Sequence, residues 1–246
     1  MFSISINRTK TGTNSQEILS MSENGTTYGI KVGGYGYVIQ NVRVRNCTYG
    51  IYSDTTNGLI SHCDIRECKV GIHVGHDIKI NTIKLFTVYT GLEIEGPLVS
   101  AISIRGDSIG RHLIECWNGK CTFMDIDGDY CLGSLIHYGN PNDTDTTPRY
   151  LHLGQASGLM GRIGTKLAFN RNTIFNLSEV LEEDYRYCSY ISVGPYSQVF
   201  GGIIDISNSS SPALDTAKTY LTPDAAISIG KGSTIKGLII KYNTLK

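Results

Sequence analysis

The segment Gly29-Ile30-Lys31-Val32 returns as Gly50-Ile51-Tyr52-Ser53, as Gly71-Ile72-His73-Val74 and as Gly91-Leu92-Glu93-Ile94, at intervals of 21, 21 and 20 residues. Each segment alternates apolar with polar side chains, which is typical of a short strand with one buried face. A strand that recurs at a nearly fixed interval indicates stacked structural repeats, because each repeat then packs on its neighbours. The repeat therefore predicts an all-β chain.

A second apolar pattern follows each of these strands. Residues 37–52, 58–73 and 78–93 align so that the matched inward positions are apolar: Ile39, Ile60 and Ile80; Val42, Cys63 and Ile83; Val44, Ile65 and Leu85; Cys47, Cys68 and Val88. Several short strands in every repeat cannot form one flat sheet, so successive coils are expected to pair in parallel as a solenoid. Ile102 and Ile104 are expected to follow Ile83 and Leu85 after 19 residues.

The opening strand of the repeat is expected again further along the chain. Its later copies are predicted at residues 113–116, 135–138, 190–194 and 226–230. No register can be assigned between about 140 and 188. Leu151-His152-Leu153 has the pattern of a coil strand, but it follows Ile136 too soon for a full turn of the solenoid.

The repeat also suggests how the chain is organised. We expect residues 1–26 to form an N-terminal cap or a widened first coil, because the exposed ends of a solenoid need covering. Residues 27–246 are expected to form the solenoid itself. Loops are predicted near 140–148 and 208–224, where turn-forming residues cluster.

The composition narrows the classes of partner. Lys plus Arg and Asp plus Glu both number 22, so nothing suggests a nucleic-acid partner. No apolar run of membrane-spanning length and no signal-peptide pattern occurs, so we expect neither membrane insertion nor export by an ordinary signal peptide. The seven cysteines lack the paired spacing of a zinc site, and we expect them to be reduced and structural. We expect no cofactor and no metal.

One column of outward side chains contains the residue types of a carbohydrate site. The residue after the aliphatic in each copy of the opening strand gives Lys31, Tyr52, His73, Glu93, Glu115, His137, Ser192 and Ser228. Glu93 and Glu115 are the candidate catalytic pair, acid with base or nucleophile, since stacked strands bring carboxylates to the separation that glycoside hydrolysis uses. Tyr52, His73 and His137 are candidate substrate contacts.

Trp117 is a further candidate for binding substrate. It lies in a predicted turn beside the column, where its ring could stack on a sugar. The competing interpretation of the whole column is a plain solvated face, because outward positions of a solenoid are polar by default.

Two further outward columns are predicted from the next strand. The first is Arg43, Asp64, Lys84, Ser103 and Asp125, whose alternating charges suggest a structural role. The second is Arg45, Arg66, Phe86, Arg105 and Asp127. Its arginines either contact an anionic polymer or pair with neighbouring acids, and pairing is the simpler interpretation.

Taken together, Tyr-Gly-Ile-Lys-Val, Tyr-Gly-Ile-Tyr-Ser and Val-Gly-Ile-His-Val, each followed by an Ile-x-x-Val-x-Val type of strand, resemble the right-handed parallel β-helix of the pectate-lyase-like superfamily. Within it the chain is most similar to bacteriophage tailspike and tail-fibre proteins, over residues 27–127 and less closely over 188–246. The resemblance is one of repeat architecture. The Asn-Thr-Asp and Gly-His-Gly signatures of pectin-degrading relatives are absent, and Gly75-His76-Asp77 matches the second only in part.

The resemblance implies a homotrimer that binds, and often cleaves, a bacterial surface polysaccharide. It also implies contacts with other phage tail proteins, a place in the virion, synthesis in the host cytoplasm and action outside the cell. Three functions follow as expectations: a tailspike-type polysaccharide depolymerase, a non-catalytic receptor-binding or structural virion protein, and a bacterial β-helix lyase or epimerase.

Overall fold

The computed structural model describes residue 18 and residues 25–131, 133–139, 146–147, 149–157, 166–169, 173–176, 189–205 and 225–241. Most of the predicted N-terminal cap, most of the predicted loop at 140–148 and all of the predicted loop at 208–224 lie outside these residues. Among the described residues, no helix has the length and apolar character that a membrane crossing requires.

The described parts of the chain are built from short strands. In chain order they are β1 Tyr28–Val32, β2 Val38–Gln40, β3 Arg43–Arg45, β4 Tyr49–Ser53, β5 Gly58–Arg66, β6 Val70–Val74, β7 Ile78–Val88, β8 Thr90–Ile94, β9 Val99–Ile109, β10 Ile114–Cys116, β11 Lys120–Cys131, β12 Ile136–Tyr138, β13 Arg149–Leu153, β14 Gln155–Ser157, β15 Lys166–Phe169, β16 Thr173–Asn176, β17 Ser189–Val193, β18 Ser197–Phe200, β19 Ile203–Asp205, β20 Ala225–Ile229, β21 Thr234–Lys236 and β22 Ile239–Lys241.

Two parallel sheets contain nearly all of these strands. The first sheet has the order β1-β4-β6-β8-β10-β12-β17-β20. The second has the order β2-β5-β7-β9-β11-β13-β18-β21, with β3 beside β5, β14 between β11 and β19, and β22 beside β19. β15 and β16 form a separate antiparallel pair. Because the chain alternates between the two sheets, each coil adds strands to both, which confirms the all-β prediction and is compatible with a β-helix.

The register of the first sheet follows the repeat that the sequence shows. Ile51 pairs with Ile30 and Ile72, and Ile72 pairs with Leu92. The same column continues through Ile114, Ile136, Ile191 and Ile227. The predicted later copies of the opening strand are therefore confirmed as β10, β12, β17 and β20.

Part of the region without a predicted register belongs to the second sheet. Leu151 pairs with Cys121 on one side and with Val199 on the other, so β13 belongs to the second sheet. It follows Ile136 closely because Ile136 lies in the first sheet of the same coil. The 15-residue spacing is thus a step from one sheet to the other and not a complete turn.

A single apolar core lies along both sheets. Ile51, Ile72 and Leu92 of the first sheet and Ile60 and Ile80 of the second belong to one buried cluster. The described cysteines are also buried and form no disulfide among themselves, in agreement with the structural role predicted for them. Burial of this continuous apolar surface supplies the main driving force for stacking the coils.

The repeated glycines are required by close packing. A Cβ on Gly71 would lie 2.5 Å from Leu85 Cδ2 in the second sheet and 2.6 Å from the carbonyl oxygen of Gly91 in the next coil. A Cβ on Gly50 would lie 2.5 Å from both Ile65 Cγ2 and the carbonyl oxygen of Gly71. The repeat therefore contains glycine where the first sheet touches both its next strand and the second sheet.

A second series of residues bends the strands of the second sheet. Asn41, His62, Thr82, Ser103 and Asp125 recur once per coil and all have positive φ, between 55° and 58°. In this left-handed conformation non-glycine residues are uncommon, and a β-branched Thr is a clear exception. Each bend interrupts the alternation of side chains within its strand.

This bend explains an error in one predicted alignment. Ile83 pairs with Ile104, so the interval between β7 and β9 is 21 residues and not the predicted 19. Lys84 consequently pairs with Arg105, and Phe86 pairs with Asp107. The predicted columns were wrong in placing Ser103 beside Lys84 and Arg105 beside Phe86, because Ser103 lies at the bend and breaks the alternation of Ile102 and Ile104.

Candidate functional site

The predicted column of the first sheet is a real row of neighbouring residues. The register joins Lys31 to Tyr52, Tyr52 to His73, His73 to Glu93, Glu93 to Glu115, Glu115 to His137, His137 to Ser192 and Ser192 to Ser228. All candidate residues of the column therefore share one face of the first sheet. Trp117 lies just after β10, and its ring meets the edge of the His137 ring at a centroid distance of 6.2 Å.

Much of this face is covered. Lys31 is exposed and Tyr52 is half-buried. In contrast, His73 and His137 are each 4% exposed, Glu115 is 0% exposed and Ser192 is 3% exposed. The competing interpretation of a plain solvated face is wrong for these four residues. Rings stack on His73 and His137, and the Arg111 guanidinium packs against Glu115.

The N-terminal end of the column carries an aromatic patch, formed by Tyr28, Tyr49, Tyr52 and His73. The rings of Tyr52 and His73 are stacked at 4.5 Å, and those of Tyr28 and Tyr49 are stacked at 5.6 Å. Tyr52 meets both other tyrosines edge-on. The ammonium of Lys31 lies 4.9 Å from the ring centroid of Tyr28 and 5.7 Å from that of Tyr52. The three tyrosines are only partly buried, so this patch offers ring surface to a ligand.

Acidic groups adjoin the aromatic patch. Nδ1 of His73 lies 2.9 Å from Oε2 of Glu93, and Nε2 lies 3.9 Å from Oε1 of Glu95. The pKa of the Tyr52 hydroxyl is raised, first by burial and then by nearby acids that include Asp54, Glu95 and Glu93. The surroundings of Tyr52 are therefore negative in charge.

A second group of polar residues, the buried cluster, lies further along the column: Arg111, His112, Glu115, Trp117 and His137. Nη1 of Arg111 donates a hydrogen bond of 2.6 Å to Oε2 of Glu115. The rings of His112 and His137 are stacked at 4.5 Å and are 10° from parallel. The backbone N–H of Ser134 donates to Nδ1 of His112 at 2.9 Å.

The buried cluster strongly affects the charge of His137. Burial and the nearby positive charge of Arg111 lower the pKa of His137 to about 4. Both causes disfavour the charged imidazolium. His137 is thus neutral at physiological pH, and Arg111 is the cation that balances Glu115.

His112, Glu115 and His137 are also residue types that ligate metals, and their ligand atoms all lie within 4.8 Å of one another. The arrangement does not suit an ion. Two nearly parallel stacked imidazoles cannot both direct an in-plane lone pair at one point. Nδ1 of His112 already accepts the Ser134 N–H, and Arg111 already neutralises the carboxylate. We therefore assign no metal to this cluster.

The candidate catalytic carboxylates are neighbours, but each already has a partner. Glu93 and Glu115 pair in register between β8 and β10. Glu93 is bonded to His73, whereas Glu115 is fully buried against Arg111. Direct contact of Glu115 with a polysaccharide would require Arg111 to move. The assignment of Glu93 and Glu115 as catalytic acid and base stays a prediction.

Sequence reasoning missed several residues at this face. Tyr28 and Tyr49 occupy the same position in successive repeats, so their 21-residue spacing could have revealed the aromatic patch. Glu95 lies two residues after Glu93 on the same strand end, but it is not in the column. Arg111 and His112 precede β10 in a turn, where no periodic pattern marks them.

The outward face of the second sheet is held by ion pairs. Asp64 bonds to Arg43 at 3.0 Å and to Arg66 at 2.7 Å. Partial burial alone would raise the pKa of Asp64, but these guanidinium groups lower it overall.

Further along this face, Arg105 lies 2.9 Å from Asp125 and 3.7 Å from Asp127. The interpretation that the arginines pair with acids is confirmed for Arg66 and Arg105.

Comparisons with protein-family models, with curated proteins and with solved structures gave no match to this chain.

Proposed function

We propose that the two sheets are faces of a right-handed parallel β-helix. Every strand pair within them is parallel, and both sheets advance by one strand position per coil. About 98% of crossover connections between parallel strands of one sheet are right-handed, which supports the handedness. An experimental structure of the full chain checks this proposal, and left-handed coils would contradict it.

We propose further that the chain binds a bacterial surface polysaccharide along the outer face of the first sheet, in the manner of a tailspike or tail-fibre protein. The observation that carries this proposal is the aromatic patch beside Glu93 and Glu95. Aromatic rings pack on the C–H faces of sugars, while carboxylates and imidazoles accept hydrogen bonds from hydroxyl groups. Both kinds of group meet at Tyr52 and His73.

The test is a binding screen of purified capsular and lipopolysaccharide glycans, read by biolayer interferometry. At least one glycan should bind, and Tyr52→Ala should weaken its affinity about tenfold or more through loss of ring contact. Tyr35→Ala is the matched control, because Tyr35 is 80% exposed and outside the aromatic patch. Binding that survives Tyr52→Ala would place the glycan elsewhere, and binding of no glycan would refute the proposal.

Cleavage of the bound glycan is a second candidate function. The observation that favours it is the adjacency of Glu93 and Glu115 on β8 and β10, since glycoside hydrolysis uses two neighbouring carboxyl groups. Release of reducing ends measures hydrolysis, and absorbance of an unsaturated product detects a lyase. If activity is found, Glu93→Gln and Glu115→Gln should each abolish it. Activity that persists in both variants would exclude this pair as catalytic.

The assembly and location of the protein follow as part of the same proposal. We propose a homotrimer within a phage tail; a bacterial β-helix lyase or epimerase is the competing function. Light scattering coupled to gel filtration measures the oligomer, and cross-linking of assembled particles identifies neighbouring proteins. A monomer that associates with no virion protein would favour the bacterial enzyme.

A further inference from the structure

The hydrogen bond between His73 and Glu93 fixes which nitrogen of His73 is free. Nδ1 lies 2.9 Å from a carboxylate oxygen, and a carboxylate accepts but does not donate, so the proton is on Nδ1. In the neutral ring Nε2 then carries a lone pair and accepts hydrogen bonds. Glu93 thereby holds the imidazole in one tautomer and one orientation.

A second acceptor lies opposite Nε2. Oε1 of Glu95 is 3.9 Å away, which is too long for a hydrogen bond between them but short enough for two adjacent hydroxyl groups of one sugar to donate one hydrogen bond to each atom. The side chain of Glu95 is 63% exposed, so this acceptor is open to solvent. The Tyr52 ring stacks on the imidazole and provides an apolar surface beside the two acceptors.

Acidic groups outnumber the cations around this gap. Glu93, Glu95 and Asp54 all act on Tyr52 as negative charges. Of the nearby cations, Arg111 is bonded to Glu115, and the Lys31 ammonium lies over the rings of Tyr28 and Tyr52. A ligand carboxylate would thus meet two hydrogen-bond acceptors and three like charges, while the two cations named here, both among the described residues, already contact other groups.

We propose that His73, Glu95 and Tyr52 form a subsite that binds an uncharged sugar residue through its hydroxyl groups and rejects sugars that carry a carboxylate. This subsite rests on the proposed polysaccharide function and defines its substrate class. Acceptors select ligands with donor groups, and the surrounding negative charge supplies repulsion against acidic sugars.

Chemically matched polymers test this selectivity. Each polysaccharide of the binding screen is measured before and after carboxyl reduction, with polygalacturonate included because every residue in it carries a carboxylate. Uronic-acid polymers should bind at least about tenfold more tightly after reduction at the same ionic strength. Glu95→Gln should narrow that ratio, whereas Glu67→Gln, the same change at the corner before β6, should leave it unchanged.

The outcomes separate the subsite from the wider function. If native uronic-acid polymers bind as tightly as their reduced forms, the subsite is refuted while polysaccharide binding stands. If no polymer binds in either form, both proposals fail.

Nitrogen-15 NMR of the free protein gives a readout that needs no glycan. His73 should show the tautomer with the proton on Nδ1, and Glu93→Gln should disturb it. A proton on Nε2 in the wild-type protein would remove the proposed acceptor and overturn the subsite.

Discussion

The outer faces of the two sheets were built from the same alternating pattern, yet they have opposite characters. The column of the second sheet that contains Arg43 and Asp64 has exposed and half-buried side chains and is held by ion pairs. The column of the first sheet that contains Glu115 and His137 is nearly dry. The difference shows that the alternating sequence pattern places a side chain on one face of a sheet. The neighbouring side chains then determine whether that side chain is exposed to solvent.

The largest expected difference between the two faces appears when one guanidinium is removed from each. Arg111→Met leaves the carboxylate of Glu115 without its cation inside the protein, which should destabilise the fold by about 3–5 kcal/mol. Arg43→Met removes a pair whose arginine side chain is 61% exposed, and should cost less than about 1 kcal/mol. Urea denaturation measures both. Equal losses would mean that the two faces do not differ energetically.

The next largest effect concerns the contact between the sheets. Gly71→Ala places a Cβ 2.5 Å from Leu85 Cδ2 and 2.6 Å from the Gly91 carbonyl oxygen, so strands must move apart at a cost of about 1–3 kcal/mol or more. Gly34→Ala is the control, since its Cβ would meet nothing within 4 Å. A thermal melt should show a lower midpoint for Gly71→Ala only. A normal midpoint would show that the first sheet does not need glycine there.

Acid should lower the stability of the protein through the buried His137 of the first sheet. The folded pKa of His137 is about 4, below the unfolded value of about 6.5, so between these pH values the unfolded chain binds more protons. Stability therefore falls as the pH is lowered through this window, by about 2 kcal/mol from pH 7 to pH 5. His137→Gln should remove that part of the slope in urea titrations, whereas His62→Gln, an exposed histidine of the second sheet, should retain it. An unchanged slope in His137→Gln would contradict the assignment.

Much of the fold could be predicted from the sequence, because the repeat is a local pattern that recurs in each coil. The glycine and aliphatic positions gave the register of the first sheet, including Glu93 beside Glu115. The second sheet was harder because a bend at Ser103 changes the alternation without leaving a strong residue signature. Gly, Asn and Asp are the residues that usually indicate a positive φ, whereas Ser and Thr do not predict it.

The candidate site was predictable only in its column. Tyr52, His73 and Glu93 lie where the repeat places them, and their contacts with one another follow from that stacking. The burial of Glu115 depends instead on Arg111, which reaches it from a turn outside the repeat pattern. Periodicity indicates which residues share a face, whereas non-periodic neighbours determine their solvation and charge.

The smallest effect tests the bend that distinguishes the second sheet. Thr82 is β-branched and has φ of 55°, whereas Asn41 occupies the equivalent bend two coils earlier. Asn tolerates the left-handed conformation better than Thr, so Thr82→Asn should stabilise the protein by about 0.5–1 kcal/mol. Thr122→Asn, on the outer surface of β11 without positive φ among the described residues, should give no gain. A higher melting temperature for Thr82→Asn alone would show that backbone strain at Thr82, and not the added amide group, causes the gain. Equal gains in both variants would contradict this explanation.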